Sequence, residues 1–197
     1  MKSLPLFCLA ITFSTPVLSA PYIYGPDNCE FQITFPEKPF IEKKCTQNVM
    51  DCAEVVTFTK AVGLESSTNF RVTCNPISPT DVTKYTTDII KETLNHLVQS
   101  NHLEPYNSES FEKDGYKSAS TISLSERDGK PLIYNGQIWV GQKSIFTIEA
   151  EMLGAQNHEI EKTFVYIMKN TYPKAFSPEK ESKTDAVKSK TKDTLSE

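Results

Sequence analysis

Four cysteines, Cys29, Cys45, Cys52 and Cys74, follow an N-terminal segment with the pattern of an export signal. An even set of thiols in an exported chain constrains the fold through disulfides. Lys2 supplies a positive start, Leu4 to Phe13 an apolar run too short to span a bilayer, and Val17-Leu18-Ser19 a small-residue cleavage site. Proline at the first mature position blocks the peptidase, so the signal peptide is read as residues 1–19 and the mature chain as starting at Ala20. The fifth cysteine, Cys8, lies inside the apolar run after Phe7, which argues against a lipid anchor. The expected location is therefore the periplasm or the secreted space. No Asn-x-Ser/Thr site occurs, which fits a periplasm more readily than a glycosylating pathway.

Period-two alternation predicts how the cysteines pair. Cys29-Glu-Phe-Gln-Ile-Thr-Phe35 alternates apolar with polar, Pro39 to Cys45 does so more loosely, and Pro36-Glu37-Lys38-Pro39 between them is turn chemistry. A hairpin centred on Glu37 sets Ile33 opposite Ile41 and Cys29 opposite Cys45. A second, centred on Gly63, joins Cys52–Lys60 to Thr68–Cys74, with Val56 opposite Phe70 and Cys52 opposite Cys74. Directly opposed residues on antiparallel strands lie within disulfide range. The expected bridges are Cys29–Cys45 and Cys52–Cys74, each worth about 3 kcal/mol by loop closure. A bulge would shift register toward the rival connectivity, Cys29–Cys74 with Cys45–Cys52. Cysteine spacings of 16, 7 and 22 positions do not match the tight pairs of zinc sites, so no metal is expected.

Ser78-Pro79-Thr80-Asp81 reads as a helix start, with Ser78 as N-cap, proline at the first position and Asp81 in the capping box. Val82, Tyr85, Ile89, Ile90, Leu94, Leu97 and Val98 then recur at helical spacing, which predicts one helix to about Ser100. After a polar stretch ending near Gly115 come three meander strands, Lys117–Ser125, Leu132–Val140 and Ser144–Met152. Asn135-Gly136 marks a turn or a bulge in the middle strand. Asn157 caps a second helix carrying Ile160, Phe164, Ile167 and Met168, and Pro173 ends it. Residues 20–175 thus read as a single α+β domain: an antiparallel sheet covered by two helices, an α-β-α sandwich with two disulfide-linked N-terminal hairpins. Residues 176–197 read as a disordered charged tail, since Ser177 to Glu197 holds five lysines and five acidic residues.

The Phe31-Gln-Ile-Thr-Phe-Pro36 strand, the mid-chain helix, and the Gly136–Val140 and Ser144–Ala150 pair resemble the PsbP/Mog1/DcrB-like superfamily over residues 29–172. That resemblance implies an α-β-α sandwich used as a non-enzymatic binding or assembly module. It transfers no site motif to this chain.

Chemistry is sparse. His96, His102 and His158 have no nucleophile or ligand partner in a recognisable frame, and there is no glycine-rich phosphate loop. Glu149 and Glu151 share a strand face about 7 Å apart and imitate a carboxylate pair, although the solvated side of a half-buried strand gives the same pattern. The formal charge of −4 offers no basic face for nucleic acid. No catalytic residue, cofactor or metal is assigned. The candidate binding residues are aromatic: Tyr22, Tyr24, Tyr134 and Trp139, which combine contact area with a polar handle. By parity Trp139 faces opposite to Ile138 and Val140, so the sheet needs cover on a second face. The expected function is a non-enzymatic envelope or secreted module that binds an unknown envelope protein. The alternative is a carrier of a small apolar ligand held between helix and sheet.

Overall fold

Alternating β-branched and aromatic residues need a two-sided core, and the strands of this chain find one between two sheets. The computed structural model describes residues 20–45 and 52–176. The signal peptide and the tail from residue 177 lie outside the described residues. Among the described residues, a seven-stranded antiparallel sheet has the order β3 (Phe40–Cys45), β4 (Cys52–Val62), β5 (Ser66–Pro76), β9 (Ser144–Gly154), β8 (Lys130–Val140), β7 (Tyr116–Arg127), β6 (Asn107–Lys113). A small sheet holds β2 (Phe31–Phe35) between β1 (Tyr22–Tyr24) and β10 (Thr171–Pro173). Helix α2 (Thr87–Ser100) lies on one face of the large sheet, and α3 (His158–Lys169) lies on the other beside the small sheet. The protein is α+β with antiparallel pairing.

The hairpin expected around Glu37 does not form. Phe31, Ile33 and Phe35 are all fully buried, so β2 sits in the middle of the core, where burying each side chain is worth roughly 1.5–3 kcal/mol. A strand in that position needs a neighbour on both edges. The pairs Tyr24↔Ile33 and Thr171↔Ile33 supply them. Strand β3 turns instead to β4, with Ile41 opposite Val56 and Cys45 opposite Cys52.

The second hairpin does form, one step out of place. Gly63 takes a left-handed φ of +60°, Val62 pairs with Ser66, and the turn centres on Leu64. Val56 therefore faces Val72 and not Phe70. Moving the centre by one residue moves the register by two, so the faces survive: Val56, Phe58, Phe70, Val72 and Cys74 all enter the core.

These two differences correct the disulfides. The bridges are Cys29–Cys74 and Cys45–Cys52, not Cys29–Cys45 and Cys52–Cys74. Once β3 pairs with β4, Cys45 meets Cys52 at the end of that hairpin where the two strands are joined. Cys74, on the core face of β5, reaches across to Cys29 in front of β2 and ties the small sheet to the large one.

Where one helix was expected there are two. Helix α1 (Pro79–Val82) starts at the Ser78 cap, whose side chain accepts from the Asp81 amide, but it lasts one turn. Thr86 then opens α2 afresh, its Oγ1 accepting from the Ile89 amide at 3.2 Å. Thr83, Thr86 and Thr87 are poor helix interiors and good caps, which is why the chain breaks there. The polar stretch before Gly115 contains β6, an edge strand whose Glu109, Glu112 and Lys113 suit a position with one open side. Asn135-Gly136 is neither turn nor bulge: it lies inside β8, and Gly136 is small because Leu94 of α2 packs on it.

The small sheet is also latched to the β8–β9 turn. Glu30 Oε2 accepts from the backbone amides of Lys143 and Ser144 at 2.7 and 3.1 Å, and a side chain at Gly141 would collide with that carboxylate. Lys174, in the last turn Lys174–Phe176, donates from its amide to the Glu30 carbonyl and from Nζ to the Pro26 carbonyl. Burial lowers the pKa of that ammonium. Phe176, at the expected tail boundary, packs its ring against Tyr116.

Candidate functional site

Cover on the two faces of the large sheet is offset, and the offset creates the surfaces available for binding. Helix α2 shields β6, β7 and β8 on its face, while the small sheet and α3 shield β4, β5 and β9 on the other. Each face is left half open.

The open half beside α2 is polar. A lateral row runs Phe40, Thr57, Arg71, Glu149, each directly opposite the next. Glu149 accepts from the Tyr134 hydroxyl and the Asn101 amide, both at 3.4 Å, and its other oxygen lies 3.6 Å from Arg71 Nη1. Glu151 is held by both arms of Arg127 at 2.8 Å. The two carboxylates that mimic a catalytic pair therefore each have a cation of their own.

The open half beside α3 is apolar. Leu124, Ile133 and Met152 lie side by side on β7, β8 and β9, and Ile122, Asn135 and Ala150 form the next row. Leu124 is 57% exposed and Ile122 39%, and on the neighbouring strand β6 Phe111 is 47% exposed on the same face. Interleaved with them are Ser120, Gln137 and Asn135. The Asn135 side-chain oxygen is buried and has no hydrogen-bond partner among the described residues.

The four aromatic candidates are not brought together. Tyr134 lies under α2, fully buried, its pKa raised first by burial and then by Glu149. Trp139 points to the opposite face, where its ring meets Phe31 edge-on at 5.8 Å and its Nε1 donates to Gln137 Oε1. The second-face cover that parity demanded is thus the small sheet. Tyr24 is buried in the core on β1, with its hydroxyl 3.4 Å from Glu54 Oε2. Burial, and then the Glu54 carboxylate, push that phenol up to about 12. Tyr22 packs partly buried against the same core. Of the four, Tyr22 and Tyr24 line a common cleft, between β1 and the β3–β4 edge.

Sequence reasoning missed Phe111, Ile122 and Leu124. A signal was present: Lys117–Ser125 sets Ala119, Thr121 and Ser123 on one parity and Ile122 and Leu124 on the other. Helix α2 packs closely on the small set, which leaves the large set outside.

His96, His102 and His158 are all exposed: mid α2, just past its end in a left-handed conformation, and at the start of α3. Among the described residues no group of His, Cys, Asp and Glu converges as a metal site, and no helix is long and apolar enough to cross a membrane.

No family model matches the chain, and no curated protein does. Among solved structures, LpqN, described as involved in cell envelope biogenesis of Mycobacterium tuberculosis, aligns over 81% of this chain and 86% of its own. The identity is 11% and the TM-score 0.28, and no role is carried over from that likeness.

Proposed function

We propose that this chain is an exported, non-enzymatic binding or assembly module that engages a protein partner through the open apolar half of its large sheet. The observation behind this reading is that Ile122 and Leu124 on β7, and Phe111 further along the same face of β6, are exposed on a sheet whose neighbouring strands are pinned from both sides. A rigid apolar surface is suited to association because little side-chain or backbone freedom is lost when it is covered. Asn135, Gln137 and Ser120 among those apolar groups favour a polypeptide over a lipid chain, since hydrocarbon cannot satisfy an amide. Two disulfides fit an oxidising compartment.

The carrier reading has less support. Beneath the centre of α2 the space is filled, with Leu94 fully buried against Gly136.

Ile122→Asp and Leu124→Asp test the proposal. Native-gel mobility of the mature protein in extract from its own compartment should show a complex with the wild type and lose it with either variant. Unchanged complex formation by both folded variants would remove the surface from the account.

A further inference from the structure

The two disulfides do more than close loops, because each sets a pair of polar side chains at one cleft. We propose that the cleft between β1 and the β3–β4–β5 edge is a binding site for a small zwitterion, the paired ammonium and carboxylate of a free amino acid or a short peptide.

Cys29–Cys74 joins the two walls, and next to its two halves stand Asn28 and Asn75, both lining the cleft. Cys45–Cys52 closes the adjoining hairpin, and two residues inward from its halves stand Lys43 and Glu54, directly opposite each other across β3 and β4. Both also line the cleft. Opposite charges in that arrangement ordinarily meet, yet among the described residues neither takes part in a salt bridge. Glu54 is instead turned toward Tyr24, whose hydroxyl donates to one carboxylate oxygen. The phenol stays protonated at any ordinary pH, so Tyr24 acts as a fixed donor that orients Glu54.

The cleft therefore offers an anchored carboxylate in one wall, an ammonium at the rim with no ion-pair partner among the described residues, and two amides that can donate or accept. A ligand carrying one positive and one negative end satisfies both charges at once, whereas a simple cation or anion leaves one of them facing its like. The volume is about 260 Å³, below the roughly 300–1,000 Å³ of sites for drug-sized ligands. That suits one or two amino-acid units. Because both walls are covalently tied, the donors are in place before the ligand arrives.

The experiment is a backbone NMR titration of the oxidised mature protein with L-alanine, with L-alanyl-L-alanine, and with N-acetyl-L-alanine methylamide, which lacks both charges. Saturable shifts at Ala53, Glu54 and Asn75 are expected with at least one zwitterion. Tighter binding of alanine points to free amino acids and tighter binding of the dipeptide to peptides. The blocked compound should bind at least tenfold more weakly, as should either zwitterion to Glu54→Gln or Lys43→Met. Both variants change partly solvated side chains, and their amide dispersion verifies the fold. No saturable shift with either zwitterion, equal binding of the blocked compound, or unchanged affinity in both variants would overturn the assignment. The outcome is independent of the apolar surface on β6–β9, which lies on other strands.

Discussion

Cys29 and Cys74 stand 6.1 Å apart at their Cα atoms and belong to different layers, one ahead of β2 in the small sheet and one on the core face of β5 in the large. Their bridge spans 45 positions, the other only seven. The chain-entropy argument gives about 4 kcal/mol for the long loop and about 2.5 for the short one. Replacing Cys29 and Cys74 together by alanine should therefore cost more in urea unfolding than replacing Cys45 and Cys52, by about 1.5 kcal/mol plus whatever packing is lost in the core. The opposite ranking would mean that the small sheet is not held by that bond.

Gly136 and Leu94 form a second testable contact. A Cβ on Gly136 would lie 3.0 Å from Leu94 Cδ1 and 3.1 Å from Tyr134 Cε1. Gly136→Ala should destabilise by about 1–3 kcal/mol through overpacking. In a Leu94→Ala background the same change should cost at least 0.5 kcal/mol less, roughly the coupling seen between touching residues. Strict additivity in this double-mutant cycle would show that α2 does not rest there.

The elements were legible where alternation or capping was strong, and so were the β4–β5 hairpin and the β7–β8–β9 meander, whereas the partners of β2 and β3 were not. The expected opposition of Val56 to Phe70 and of Cys52 to Cys74 puts Val56, Phe70 and Cys74 on one face, and they do share the core face, because parity survives a register error of two. Which strand β2 would pair with could not be read locally: its partners, β1 and β10, lie at opposite ends of the chain, and Thr171-Tyr172-Pro173 carries no strand signal of its own. Strand β6 was hidden for a different reason. Ser108 and Ser110 sit where α2 comes close and Glu109 and Glu112 guard an edge, so neither face shows an apolar stripe. Tyr134 and Trp139 could be placed on opposite faces by counting, but which face stayed open depended on how far α2 and the small sheet extend.

Alkaline stability follows from the tyrosines. Tyr24 and Tyr134 have pKa values raised first by burial, as does Tyr116, which Glu30 raises further. A phenol whose folded value exceeds the unfolded one of about 10 contributes stability that is complete below that pH and is lost as pH rises through the folded value. For Tyr24 the window runs from about 10 to about 12. Denaturation midpoints should therefore fall steadily above pH 10, and Tyr24→Phe should make that fall shallower. An identical slope in the variant would remove Tyr24 from the cause.

The open apolar half of the sheet is tested most directly by where a partner touches the molecule. A photo-crosslinking side chain placed at Leu124, and separately at Thr57 on the open polar half of the other face, reports both surfaces in the same compartment. The account predicts one discrete adduct from position 124, none from position 57, and loss of the adduct when Ile122→Asp is added. Adducts of equal yield from both positions, or from position 57 alone, would contradict it.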